Sequence, residues 1–297
     1  MICLLRGKGM NGLEEAIIII ICVIAGCGAL FLAMTCPGRG RRERMKPFEN
    51  VLIAHRGLFD NEGDAPENTM AAFRKAIDAG FAIELDVQMS SDGQLLVFHD
   101  PDLKRMAGVD LQVSETPYEI LVSYPLGQSD ERIPLFADVL DLVAGQVPMV
   151  IEIKISSVYR KTTRAAAALL RSYPGVYCVE SFHPLSLLWY RRHMPRVLRG
   201  QLSMDFKYCE EKVPMLIKIF MTNLWFNFLS KPDFIAYNHK DKRTRGFRIC
   251  RRIFHAKTAA WTIKSQQELV QAHDMFDMFI FDSFVPEPEA VANSCSE

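Results

Sequence analysis

A chain of 297 residues with 35 basic and 35 acidic side chains carries no formal net charge at neutral pH. That balance excludes the basic footprint of a nucleic-acid binder, and 24% charged against 49% hydrophobic residues excludes a disordered chain. The eight cysteines show neither CxxC nor Cys/His zinc spacing and read as free thiols of a reducing compartment.

The first predicted element is apolar. No charge occurs from Ala16 to Met34, and a helix of that run spans about 28 Å, close to the roughly 30 Å hydrocarbon core of a bilayer. Arg39, Arg41, Arg42, Arg44 and Lys46 follow it, whereas Arg6 and Lys8 before it are opposed by Glu14 and Glu15. The positive-inside rule then puts the C-terminal side in the cytoplasm, at a cell membrane crossed once. Residues 1–36 are expected to form this anchor and 37–49 a basic linker. A cleaved signal peptide would have a shorter apolar run and a small-residue cleavage site. Ile24-Ala25-Gly26-Cys27 is similar to a lipoprotein cleavage box, but the apolar run continues past Cys27.

Residues 50–297 alternate short β-rich runs with helical patterns. The strand candidates are Val51–Ala54, Ala82–Gln88, Leu95–His99, Met149–Ile155, Val176–Ser181, Val197–Leu202, Phe234–Asn238, Thr258–Ile263 and Met278–Asp282. Helical patterns cover Thr69–Ala79, closed by Gly80, then Tyr159–Tyr173 and Leu185–His193. The order predicts an α/β fold, a TIM (β/α)8 barrel preceded by one transmembrane helix. One strand candidate is surplus. Gln88 to Gly93 reads as a tight turn, so one arm beside it belongs to an antiparallel hairpin. Val213–Leu229 has apolar residues at helical spacing, with Lys218, Asn223 and Asn227 among them. It reads either as an outer barrel helix with a buried apolar face or as an interfacial helix dipping into lipid, Trp225 at headgroup level.

Chemistry concentrates in His55-Arg56-Gly57, Pro66-Glu67-Asn68-Thr69, Glu84-Leu85-Asp86, His99-Asp100 and Glu152-Ile153-Lys154. Strand side chains at i and i+2 share a face, so Glu84 converges with Asp86, and Glu152 with Lys154. Over the mouth of a barrel, three carboxylates (Glu84, Asp86 and Glu152) would repel unless a cation sat among them. Oxygen ligands suit one hard divalent ion, Mg2+ or Ca2+. Two imidazoles, His55 and His99, can take a proton from an attacking hydroxyl and give one to a leaving alkoxide. Arg56 suits a bidentate phosphate clamp, with Lys154 a second positive charge. Asn68 suits either a helix cap before Thr69 or the site itself.

The order HRG, PENT, E-x-D, HD and E-x-K resembles the glycerophosphodiester phosphodiesterase family. The resemblance implies a barrel enzyme that hydrolyses glycerophosphodiesters to glycerol 3-phosphate and an alcohol. It implies His55 and His99 as the acid/base pair, and Glu67 as a residue orienting a ligand or a catalytic histidine. Ser181-Phe182 resembles a family strand end, and Ala260-Trp261-Thr262 the tryptophan strand whose aromatic lines the glycerol pocket. The last strand reads Phe281-Asp282 where the family usually has Thr-Asp, which leaves the role of Asp282 open. The expected partners are a glycerophosphodiester or lysophospholipid substrate and a membrane, with no nucleic acid and no oligomeric state specified. Lysophospholipase D-like hydrolysis and a non-catalytic phosphodiester-binding barrel are the alternatives. The stretch Lys104–Gly145 leaves no room for a large insertion domain.

Overall fold

The computed structural model describes residues 12–38, 42–209 and 213–287. Its strands are β1 (Leu52–Ala54), β2 (Ala82–Met89), β3 (Leu95–Val97), β4 (Met149–Ile153), β5 (Tyr177–Ser181), β6 (Leu198–Ser203), β7 (Phe234–Asn238), β8 (Lys257–Ile263) and β9 (Met278–Phe281). Eight of them pair in parallel in the order β1-β9-β8-β7-β6-β5-β4-β2, and β1 pairs with β2 to close the barrel. The surplus strand is β3. It lies antiparallel to β2, Val87 opposite Val97, on the part of β2 that extends beyond its pairing with β1. The run Leu95–His99 therefore ends as a strand at Val97, and His99 stands on the loop after it.

Residue parity sorts the barrel into two layers. Ile83, Leu85, Val87, Ile151, Ile153, Val179, Ile235 and Phe279 face outward into the helical layer, where they pack with Phe73, Val139 and Leu269. Ile53, Ala82, Val150, Cys178, Leu198, Ala259, Met278 and Ile280 face inward, and Met45 and Phe48 from the linker join them. Each of these two linker side chains is at most 1% exposed, so residues 45–48 belong to the barrel and not to a solvated tether.

The connection between β3 and β4 carries a small core of its own, in which Phe98, Leu103, Met106, Val113, Leu121 and Ile133 are buried. It is an embellishment, not an inserted domain.

The N-terminal helix Gly12–Thr35 has a mean hydropathy of 3.0 in its most apolar stretch and none of that stretch is buried. It is long and apolar enough to cross a membrane and lies where a signal sequence would also lie. Of the flanking charges, Arg6, Lys8, Arg39 and Arg41 lie outside the described residues, as do Cys3, Cys295 and the chain end from 288. The described cysteines Cys22, Cys27, Cys36, Cys178, Cys209 and Cys250 are free thiols.

The run Val213–Leu229 is not one helix. Helices Met215–Thr222 and Asn227–Ser230 are separated by a turn in which Leu224 takes φ +58° and is buried. No residue of Met215–Thr222 is buried, whereas Asn227 and Ser230 are. Trp225 is half-buried and sits edge-on to Phe31 and Phe220, with its Nε1 buried.

Candidate active site

The inward register of each strand, followed to its C-terminal end, delivers a polar or aromatic side chain to one mouth. Ile53 leads to His55, Ala82 to Glu84 and Asp86, Val150 to Glu152 and Lys154, Cys178 to Glu180 and Phe182, Ala259 to Trp261, and Ile280 to Asp282. Cross-strand register puts Asp86 level with Glu152, and Glu152 level with Glu180. Together with Arg56 and His99, most of these line a cavity of about 130 Å3 whose walls include His55, Glu84, Glu152, Lys154, Glu180, Phe182 and Trp261.

Glu84, Asp86 and Glu152 are buried, and each offers an oxygen within 4.8 Å of the others. Burial, then the charges of Asp86, Glu180 and Glu152, push the Glu84 carboxyl well above the usual carboxylate range. Burial would push Asp86 up as well, but Lys154, His99, Arg56 and a hydrogen bond from Asn68 hold it well below that range. Lys154 Nζ lies 3.2 Å from Asp86 and 3.3 Å from Glu152; burial disfavours its charge, and these two carboxylates more than offset that and keep it protonated. One ammonium does not neutralise the cluster: Glu180, 1% exposed, has an Oε2 with no hydrogen-bond partner among the described residues. Such an oxygen-rich, under-compensated cluster fits a hard divalent cation on Glu84, Asp86 and Glu152.

The loop after β1 is shaped to approach this cluster. Arg56 and Gly57 both have positive φ, +57° and +84°, and a Cβ on Gly57 would come within 2.8 Å of the Ala72 backbone. Only glycine lets the turn press against the helix Met70–Asp78. That turn aims the Arg56 amide at Glu84 Oε2, 3.1 Å away. The Arg56 side chain donates from Nη1 to Glu67 Oε1 at 2.6 Å and places Nε 3.4 Å from Asp86. Part of the expected phosphate clamp is therefore held by carboxylates. Asn68 is not the helix cap. Thr69 caps, its Oγ1 accepting from Ala72 N at 3.3 Å, while Asn68 donates to Asp86 Oδ2 at 2.8 Å.

Each histidine is backed by a carboxylate. His55 Nδ1 is 2.8 Å from Asp282 Oδ2, which gives the open residue of the last strand a place. His99 Nδ1 is 2.7 Å from Asp100 Oδ1. With Nδ1–H donated to a carboxylate, Nε2 is the ring atom left for the cavity; that of His55 lies 3.9 Å from Glu84. Burial lowers the His55 pKa, and the Asp282 hydrogen bond offsets part of that fall.

Glu67 does not touch either histidine. It joins Arg56 to Arg105, which donates to both of its oxygens at 2.9 and 2.6 Å and to Asp100 Oδ2 at 2.6 Å. Asn61 completes the set, donating to Glu67 Oε2 at 2.9 Å. The chain His99–Asp100–Arg105–Glu67–Arg56 thus links the two sides of the mouth. Asn61, Arg105 and Glu180 were not among the predicted site residues. The i, i+2 rule applied to Cys178 would have found Glu180; Arg105 lies on the single helical turn Lys104–Ala107 and Asn61 on a loop, both too short for a periodicity to show.

Residues 55–275 match the glycerophosphoryl diester phosphodiesterase family. The chain belongs to that family. A glycerophosphodiester phosphodiesterase of Bacillus altitudinis is 34% identical over 178 residues, 52% of this chain and 66% of that protein. The human lysophospholipase D GDPD1 is 33% identical over 141 residues, 43% of each. The aligned part thus spans about two thirds of the bacterial relative and under half of the human one. Among solved structures, an Oleispira antarctica phosphodiesterase in complex with sn-glycerol-3-phosphate superposes with a TM-score of 0.66 at 20% identity, over 86% of this chain and 99% of that one. That likeness fixes the family's TIM-barrel fold for this chain. The matched region contains every predicted site residue, His55 to Trp261, and excludes the apolar N-terminal helix.

Proposed function

We propose that this member of the family hydrolyses glycerophosphodiesters to glycerol 3-phosphate and an alcohol. The observation that carries the reading is the convergence on one cavity of two carboxylate-backed histidines and a buried acidic triad. One divalent cation, Mg2+ or Ca2+, held by Glu84, Asp86 and Glu152 would supply Lewis-acid polarisation of the phosphoryl group. Lys154 adds a fixed positive charge beside the same oxygens, and the free edge of Arg56 orients the phosphate. One histidine takes the proton of the attacking oxygen, from water or from the neighbouring glycerol hydroxyl. The other donates a proton to the departing alkoxide, through the Nε2 that its carboxylate leaves free. Asp282 and Asp100 hold the two rings in the tautomer this needs, and Glu67 and Asn68 hold Arg56 and Asp86. Trp261 and Phe182, edge-on with centroids 5.6 Å apart, wall the cavity where a glycerol backbone would lie.

We read residues 1–36 as a single-pass anchor and the barrel, from Met45 onward, as the catalytic domain on its cytoplasmic side. A specific observation favours a second reading, lysophospholipase D-like hydrolysis. The chain from Gly38 back to Phe31 runs beside the chain from Pro232 back to Trp225. Pro232 precedes the N-terminal end of β7, and Thr222 O meets the Tyr237 hydroxyl near its C-terminal end. The anchor therefore rises along the barrel toward the catalytic end, where the exposed Met215, Leu216 and Ile219 also lie. A lipid-borne substrate would enter from that side. Product analysis with glycerophosphocholine and lysophosphatidylcholine, with and without chelator, tests both readings. Metal-independent turnover, or release of a phosphorylated head group instead of the free alcohol, would overturn the mechanism.

A further inference from the structure

The end of the apolar helix is fastened to the barrel, and beside the seam lies a cavity that catalysis does not use. Gly38 N donates to Pro232 O at 2.8 Å, Lys231 Nζ to Cys36 O at 2.9 Å and Asn227 Nδ2 to Thr35 O at 2.9 Å. Phe31 meets Trp225 edge-on at 5.4 Å. Alongside runs the helix Arg245–Arg252, whose Gly246, Phe247 and Cys250 are buried. A Cβ on Gly246 would come within 2.3 Å of Asn223 O, so this helix is pressed against the same seam.

Its outward row is Arg245, Arg248 and Arg252, spaced i, i+3, i+7, with Ile249 and Ile253 beside them. These five side chains and Phe31 line a cavity of about 430 Å3. Arg251, turned toward the barrel, is paired with Asp277 at 3.0 Å. The three outer arginines are exposed and form no ion pair among the described residues. At the catalytic mouth, by contrast, Arg56 and Arg105 are both paired with Glu67. The unpaired row lies where the candidate span meets the barrel, beside Phe31.

We propose that this cavity binds the headgroup of an anionic phospholipid from the bilayer that the anchor enters. The proposal rests on the anchor reading given above. Phe31 lies one turn from the end of the apolar helix, which is headgroup depth for a span of this length. Guanidinium groups match phosphate oxygens in paired hydrogen bonds, and the cytoplasmic leaflet supplies anionic lipid. Phe31, Ile249 and Ile253 give the first carbons of the acyl chains an apolar wall. Charge and apolarity thus meet in one cavity, as they do in a phospholipid.

The test uses the full chain in vesicles of phosphatidylcholine with a minority of phosphatidylglycerol. Lipids retained after detergent extraction are measured by native mass spectrometry. Phosphatidylglycerol should be enriched over its bulk share, and the triple variant Arg245→Gln, Arg248→Gln, Arg252→Gln should lose roughly fivefold of that enrichment or more. Arg248→Lys, which keeps charge but not the fork, should fall between. Hydrolysis of glycerophosphocholine should be unchanged in both variants, which shows that they fold. Retention of the chain on the membrane in alkaline carbonate separates the two readings. A chain that washes off overturns the anchor and the lipid site together. A chain that stays, with no enrichment or with enrichment that the triple variant retains, overturns the lipid site alone.

Discussion

At the scale of single residues, the two histidines and Glu67 do separable work. His55→Ala and His99→Ala should each lower turnover about 100-fold or more, the usual scale for losing a general acid or base. Because both serve one proton-transfer cycle, the double variant should be little worse than either single one, read in kcat on a soluble diester. Near wild-type turnover in either would reassign that ring to structure. Glu67 is held at a pKa of about 2, from an ordinary 4.5; burial opposes this, and Arg105, Arg56 and Asn61 overcome it. A depressed carboxyl stabilises the fold above its unfolded value and loses that contribution as pH falls toward its folded value. The advantage of the wild type over Arg105→Gln should therefore be full above about pH 4.5 and shrink toward pH 2, in urea midpoints measured across that window. A gap that ignores pH would show that Arg105 acts by packing. Glu180 was missed in the sequence because strand alternation flags charge only when the inward register is known. With its unpartnered oxygen in the cavity, Glu180→Gln should raise KM for a glycerophosphodiester more than it lowers kcat.

Among the elements, strands were more legible than helices and loops. The alternation of β2 made the convergence of Glu84 and Asp86 readable, because period two survives in any sheet. The surplus strand could not be resolved locally: β3 is as apolar as its neighbours, and only its antiparallel partner distinguishes it. In residues 213–229 helical spacing runs through a break, because the pattern does not register that Leu224 turns to a positive φ. The consequence is an exposed apolar surface on Met215–Thr222, with Met215 66% and Leu216 63% exposed. If it meets lipid, Leu216→Ser with Ile219→Ser should reduce lysophosphatidylcholine turnover several-fold in vesicles and leave glycerophosphocholine turnover unchanged. A chain beginning at Arg42, without the anchor, should still associate with liposomes. Equal effects on both substrates, or no association, would make this face irrelevant to lipid.

For the whole molecule, the acidic triad exists only because β4 pairs in register with β2, across the whole connection from Met89 to Met149. Glu84 and Asp86 come from β2 and Glu152 from β4, brought level by register. Holding them together without a cation costs stability, so Mg2+ or Ca2+ should raise the thermal midpoint of the wild type, with the logarithm of cation concentration once it exceeds the dissociation constant. Glu84→Gln should abolish most of that rise, and thorough chelation should abolish turnover. Full activity in a metal-free sample would sink the cation.

The sequence by itself pointed to the fold class, the candidate span, and the side chains of Glu84, Asp86, Glu152, His55, His99, Arg56, Lys154 and Trp261 that gather at one mouth. These are properties of short windows, where periodicity, charge and motif spacing are local. Tertiary structure alone decided that Asp282 backs His55 across 227 positions, and that Arg105 joins Glu67 to Asp100. It also decided that Asn68 serves Asp86 while Thr69 caps, and that the end of the apolar N-terminal helix is seated on residues 225–232. Each of those contacts joins segments distant in sequence, or chooses between two partners for one side chain. Barrel closure and loop packing make that choice, and no window of the chain contains it.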